Sequence, residues 1–360
     1  MQPTRLVFMN LRPRGQSTRP AASIRLSSEV FICDNRMSNE KKPVKKHDIK
    51  WAAVLWYIHL HVLGIYGIWL LFTSAKWMTV FFTILITAIG SLGVTVGAHR
   101  LWAHKTFRAS GALRFSLVLA HTLAGVGPIY DWVLYHRLHH KYYGTDKDPY
   151  NHKKGFLFSH YVGNFLSRKI DYEQAKIDID MRDVEQDGYV WIQKMFYWPM
   201  FIIFGLILPL NVPLEYWDES MAITILVTGL LRFAITVNVS WMVNSALLIW
   251  NIEGNKLMVP PDGISVFFVK KSFWPMYHYA VPWDWKSGEF GTYDSGCSTF
   301  FIKMWYELGL INDLQTVDTD SIREVLHRVA RKKLPLNEGL TQLKEISVYN
   351  TQKEKLLIRN

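Results

Sequence analysis

Four long apolar stretches, arranged as two close pairs, limit what this chain can fold into more than any other feature. The first runs from Trp51 to about Phe72 and the second from Trp77 to about Gly97, with only the polar break Thr73 to Lys76 between them. Each is near the ~20 residues that cross a bilayer core as a helix. So short a connection folds the two into a hairpin. Trp198 to about Leu210 with its flanks, then Met221 to about Trp250, give a second hairpin joined through Asn211 to Ser220. Backbone in hydrocarbon must satisfy its own hydrogen bonds. The pattern therefore predicts an all-α membrane protein, with four transmembrane helices in two hairpins and a cytosolic helical cap.

Charge orients the hairpins. Residues 1–50 carry eleven Lys and Arg against four acids, and KKPVKKHDIK at 41–50 directly precedes the first span. Positive charge beside a span marks its cytosolic side. Arg100, His104, Lys105 and Arg108, just after the second span, agree. Both termini are then cytosolic. A basic tail at this place reads as a flank attracted to the lipid bilayer, with no nucleic acid implied. Residues 1–28 hold five arginines and no acid, as transit peptides do, but no apolar face of helical period goes with them. Residues 1–48 therefore read as a basic, disordered cytosolic tail, 49–310 as the membrane domain, and 311–360 as a polar helical C-terminal tail. Gly111 to Ile129 holds Arg114 and His121 and reads as a buried or interfacial segment. Arg232, inside the fourth span, is costly unless paired or buried. Cys33 and Cys297 are too few for a disulfide framework.

The chemistry lies in two histidine clusters, GAHRLWAH at 97–104 and HRLHH at 136–140. Imidazole beside a membrane is costly unless it binds something, and grouped neutral imidazoles suit iron. Residues three and four apart share a helix face, so His136, His139 and His140 project together. The last two diverge by about 100°, enough to address two different ions. His99 and His104 are five apart, about 140° around an α-helix, and converge only if the span ends and turns between them. The isolated His59, His61 and His121 read as hydrogen-bonded interfacial residues.

At these residues the chain resembles the membrane acyl-CoA Δ9-desaturase (stearoyl-CoA desaturase-like) family, particularly its insect members. The resemblance is carried by the two clusters, by GTDKDPYN after the second, and by GFLFSH at 155–160. NVSWMVNSA at 238–246 and VPWDWKSGEFGTY at 281–293 extend it over about residues 45–310. It implies insertion of a cis double bond into a saturated fatty acyl-CoA at the endoplasmic reticulum membrane. It also implies a pair of irons that activate dioxygen, with electrons from cytochrome b5 and its reductase. Carried over position by position, the metal residues are His99, His104, His136, His139, His140 and His278, with Asn244 acting through water. The substrate residues are Trp241, and Arg168 with Lys169 at the coenzyme A phosphates. His121, His152 and His160 stand as possible replacement ligands that no spacing favours.

The chain departs from the family where metal is concerned. Leu248 stands one turn after Asn244 where the family has histidine, and the third box reads PMYHY, with Pro275 and Tyr279 in place of two more. Six of the family's nine imidazoles remain. Leucine and proline have no side-chain donor, and a phenol of pKa near ~10 is a poor ligand for ferrous iron. The family's polar acyl-CoA clamp falls at Leu134 and Tyr135, and two substrate asparagines fall at Gly127 and Ala53. Two readings follow: an acyl-CoA desaturase, or a catalytically impaired paralogue acting as a non-catalytic acyl-lipid-binding or partner protein.

Overall fold

The apolar stretches form helices, and the glycines among them decide how closely those helices approach. The computed structural model describes residues 49–165, 177–249, 277–288, 293–335 and 337–347. The basic N-terminal tail, Arg168, Lys169, Pro275 and the side chain of Leu248 lie outside the described residues. Helix α1 (Trp51–Thr73) and helix α2 (Trp77–Ala103) make the first hairpin. Helix α3 (Gly111–Ala124) begins at Ser110, whose hydroxyl accepts from the Leu113 N–H, and stops at the left-handed Gly125. Helix α4 (Ile129–Lys141) follows at 86° to it. Helix α5 (Gly188–Met195) leads into α6 (Tyr197–Trp217) and α7 (Met221–Ala246), the second hairpin. Four helices among the described residues are long and apolar enough to cross a membrane: α1, α2, α6 and α7.

A Cβ on Gly67 of α1 would lie 2.6 Å from the Leu226 carbonyl of α7, and one on Gly93 of α2 would lie 2.2 Å from the His121 nitrogen of α3. Small residues let these backbones meet, which is how helices pack where lipid removes the hydrophobic drive between them. The opposite faces expose Trp51, Trp56, Ile65, Phe72, Trp77 and Phe81. Such a surface is an aggregation liability in water and suits hydrocarbon.

The second hairpin differs from expectation. Asn211 does not open a long connector, because α6 continues to Trp217 and only Asp218–Ser220 link it to α7. The helix runs on through Pro209 and Pro213, although proline usually ends a helix. Here the freed backbone finds other partners. Pro209 has no N–H for the Gly205 carbonyl four residues back, and Arg232 Nη2 donates to that carbonyl at 2.6 Å. Arg232 also donates to the carbonyls of Thr228 and of Leu123, near the end of α3. The arginine in the fourth span is therefore fully buried and ties α3, α6 and α7 through backbone acceptors. At the connector end of the bundle, the Glu219 carboxylate accepts from the Lys76 and Ser220 N–H groups and the Thr79 hydroxyl, joining the two hairpins.

The cap lies at the other end of the bundle. Strand β1 (Arg108–Ala109) pairs antiparallel with β2 (Ile311–Asn312). Helix α8 (Tyr277–Ala280), α9 (Cys297–Glu307) and α10 (Thr319–Ala330) complete it. Val317, Ile322, Leu326 and Leu343 form an apolar cluster with Val281 and Tyr293, and Tyr143 and Tyr279 pack against it. The apolar side of the C-terminal segment thus supports the chain that carries the third histidine motif.

Candidate metal centre

His99 and His104 converge where the second span ends, Ala103 being its last helical residue and His104 its cap; the widening of that last stretch completes the approach. From Gly93 to Ala103, α2 widens into a π-helix, and the His104 N–H bonds to the His99 carbonyl at 3.1 Å. Bonding from residue i to i+5 stacks residues five apart on one face, and the two imidazole rings lie 4.7 Å apart. The expectation used α-helical angles, which do not apply to this segment.

Arg137 brings the second cluster to the first. It lies within the HRLHH motif, yet its side chain turns away from the histidines. Its Nη2 donates to the Trp102 carbonyl at 2.6 Å and its Nε to the Ala103 carbonyl at 3.2 Å. These carbonyls end the last turn of α2 and have no further turn to receive. The same guanidinium grips Asp183 with both terminal nitrogens, at 2.9 and 2.7 Å. Burial opposes ionisation of Asp183, but Arg137 and then Lys105 outweigh it and hold its carboxyl below the usual range.

The outcome is a group of four imidazoles, His99, His104, His136 and His278, whose ligand atoms all lie within 4.8 Å of one another. The closest pairs are His104 and His136, with Nε2 atoms 2.8 Å apart, and His99 and His278, at 3.2 Å. Metal–nitrogen bonds of about 2.1 Å allow donors to stand up to ~4.2 Å apart across an ion, so the set fits one metal ion with small adjustments. His140 lies at the edge of the group, its ring 4.5 Å from that of His104 and 5.0 Å from that of His278. Its buried Nε2 has no hydrogen-bond partner among the described residues. Burial first, and mutual repulsion with the other imidazoles second, hold His104, His136 and His140 well below the usual imidazole range. They are therefore neutral, the form that ligates metal.

Outer partners orient the rings. His136 Nδ1–H donates to the Asn244 amide oxygen at 2.8 Å, leaving Nε2 bare toward the cluster. Trp132 stacks on the same ring at 5.0 Å and donates its indole N–H to Ser240 at 2.9 Å. Asn244 thus meets the cluster directly through an imidazole.

His139 goes elsewhere. Its Nδ1–H donates to Asp148 at 2.8 Å, and its Nε2 lies 2.8 Å from the Tyr279 hydroxyl. Burial, then Tyr143 and Asp148, hold the Tyr279 phenol well above its usual range. It stays protonated and donates.

The other histidines are placed individually. His160 lies between Ser245 and Asn238, and His61 accepts from Asn238 at 2.8 Å. His152 stacks on Tyr143 at 4.4 Å. None of these joins the metal group. His59 and His61 also donate to the carbonyls of Leu55 and Tyr57, one turn back in α1. His121 does not follow them: it is fully buried, and neither nitrogen has a partner among the described residues. Trp241 sits in an aromatic cage of Tyr57, His61, His160, Tyr161 and Phe165. Leu134, at one clamp position, is fully buried in the core. The sequence reading did not single out Arg137, Asp148 or Asp183 as site-building residues. Asp148, in the GTDKDPYN run, was the most accessible of the three, because a ligating histidine usually donates its second N–H to a carboxylate.

A bundle of spanning helices with an imidazole group at one end defines a membrane protein able to hold a metal ion. The family model for fatty acid desaturase matches residues 75–252. The chain is 38% identical over 293 residues to the acyl-CoA Delta-9 desaturase of Acheta domesticus, covering 80% of this chain and 81% of that protein. It is 35% identical to the acyl-CoA Delta-12 desaturase of Tribolium castaneum, over 82% of this chain and 84% of the relative. It is also 33% identical to the (11Z)-hexadec-11-enoyl-CoA conjugase of Bombyx mori, over 85% and 94% of the two chains. The chain belongs to the fatty acid desaturase family, among its acyl-CoA desaturases.

Proposed function

We propose that this protein introduces a double bond into a fatty acyl-CoA at the endoplasmic reticulum membrane, with both termini in the cytosol. Iron at the imidazole group serves the reaction, and cytochrome b5 with its reductase supplies electrons. The observation that carries this reading is the convergence of His99, His104, His136 and His278 at one end of the helical bundle, in a chain whose relatives are named for acyl-CoA desaturation. The relatives' names differ in bond position, so the regiochemistry is left to experiment.

Iron, when bound, supplies the dioxygen activation by which two hydrogens leave adjacent acyl carbons. The overall balance is one saturated acyl chain, O2, two electrons and two protons going to one alkene and two waters. The protein's part is positioning. Asn244 and Trp132 set the plane and tautomer of His136, and Arg137 locks α4 onto the end of α2. The caged Trp241, with Arg168 and Lys169, serves the coenzyme A end of the substrate. Burial keeps the imidazoles neutral and the site dry.

The test is expression of the full chain in a desaturase-deficient host, with fatty-acid profiling and iron content of the purified protein. New unsaturation that disappears in His136→Ala supports the proposal, and its absence with normal protein levels overturns it. A second reading, acyl-lipid binding without turnover, rests on one observation, the Tyr279 hydroxyl on His139. The names of the relatives lend it nothing. Any turnover by the wild type rejects it, while activity gained only on restoring histidine at 248, 275 and 279 favours it.

A further inference from the structure

We propose that the centre is built for one metal ion, and that a hydrogen-bonded chain Asp148–His139–Tyr279 stands where a second ion's ligands would be. The inference rests on reading the imidazole group as a metal centre. Asp148 can only accept, and its Oδ1 already takes the Tyr150 N–H at 2.8 Å as well as the His139 ring. With the Gly144 N–H on the other oxygen, this carboxylate is held in place and fixes the tautomer of His139. The Nδ1 carries the proton and the Nε2 carries the lone pair. That lone pair is the one a metal would need, and the Tyr279 hydroxyl occupies it at 2.8 Å.

The space is filled as well as the lone pair. The Tyr279 ring lies 3.9 Å from that of Tyr143 and 4.9 Å from that of His140, and Tyr143 stacks on His152. A second ion needs about four donors. His139 and His140 offer one each at most, short of four, while His136 already belongs to the first group and Leu248 and Pro275 carry no donor atom. Among the described residues, His99, His104, His136 and His278 are the one set of His, Cys, Asp and Glu side chains that converges closely enough for an ion. Tyrosine at position 279 thus holds His139 by a hydrogen bond where a metal would need its lone pair, keeping the ring oriented without metal duty.

The experiment measures metal per chain by elemental analysis, on full-length protein purified from iron-supplemented cells and again after anaerobic ferrous titration. One iron per chain is the expected result, unchanged in Tyr279→Phe and lost in His278→Ala. Two irons per chain in the wild type overturn the inference and leave the desaturase proposal intact. A visible phenolate-to-iron charge-transfer band that vanishes in Tyr279→Phe overturns it too, by making Tyr279 a ligand. No bound iron, with other metals equally absent, overturns both this inference and the iron part of the proposed function. Fatty-acid profiling of the complemented host separates the two cases, since it reads turnover whatever the metal count.

Discussion

Replacing Arg137 with methionine tests how the two histidine clusters are held together. The substitution keeps much of the side-chain length and removes five donated hydrogen bonds to oxygen, two to Asp183, one to the Asp180 carbonyl and two to the Trp102 and Ala103 carbonyls, besides a weak one to the Met181 sulfur. Hydrogen bonds to charged groups contribute about 1.5–3 kcal/mol each when buried, but the five do not count equally. Asp183 is 32% exposed against 13% for Arg137, so water replaces part of the ion pair and its share falls toward ~1 kcal/mol. The Asp180 carbonyl is open to solvent and adds little. The two α2 carbonyls are the main loss, because they end the helix and have no further turn to receive. A total of roughly 3–4 kcal/mol follows, or a fall in melting temperature of about 10 °C for a protein of this size. Disorder of an outer partner of metal ligands also weakens metal binding, by about 10–100-fold. Thermal unfolding in detergent and metal titration measure the two effects. The control is Arg182→Ala, whose partner Asp180 and whose own side chain are 60% and 80% exposed and whose loss should not register. If Arg137→Met melts with the wild type and binds metal equally well, the locking role assigned to Arg137 is wrong.

Three other outcomes follow from the same geometry. Because His104, His136 and His140 are held well below the usual imidazole range, protons compete poorly with metal; retention should stay flat as pH falls through ~6.5 and fail only at more acid pH, and dialysis at stepped pH that shows half-loss near ~6.5 would refute this. Asp183, whose carboxyl is held below the usual range, contributes stability that is present above ~4 and lost as pH falls through its lowered value. Asp183→Asn should therefore flatten the acid limb of the melting-temperature profile, and an unchanged limb counts against the pairing. Gly93→Ala forces a Cβ to 2.2 Å from the His121 backbone nitrogen and should abolish accumulation of folded protein, whereas Gly188→Ala, with nothing within 4 Å, should accumulate normally; equal yields of the two on blotting and gel filtration would show that α2 and α3 can separate.

What could be read from residues alone was set by local physics. Apolar runs of bilayer length gave four spans, polar breaks gave two hairpins, and the spacing of His136, His139 and His140 put three imidazoles on one face of a real helix. Where neighbours decide, the reading failed or fell silent. The connector expected from Asn211 is helix up to Trp217, and the proline at 209 is tolerated because Arg232, 23 residues further on, satisfies the carbonyl that Pro209 leaves open. His121 looked like an interfacial residue with a partner and is buried without one among the described residues.

The metal group divides along the same line. Sequence by itself determined which donors exist, that three of the family's positions lack imidazole, and that the histidines flank spanning helices, because these depend on residue identity and short-range period. Tertiary structure alone decided that α2 widens so that His99 and His104 stack, that Arg137 faces away to clamp two helices, and that Tyr279 claims the lone pair of His139. Hydrogen bonds between residues 34 to 140 positions apart set the last two of these choices, and no local pattern encodes a partner that only folding brings near.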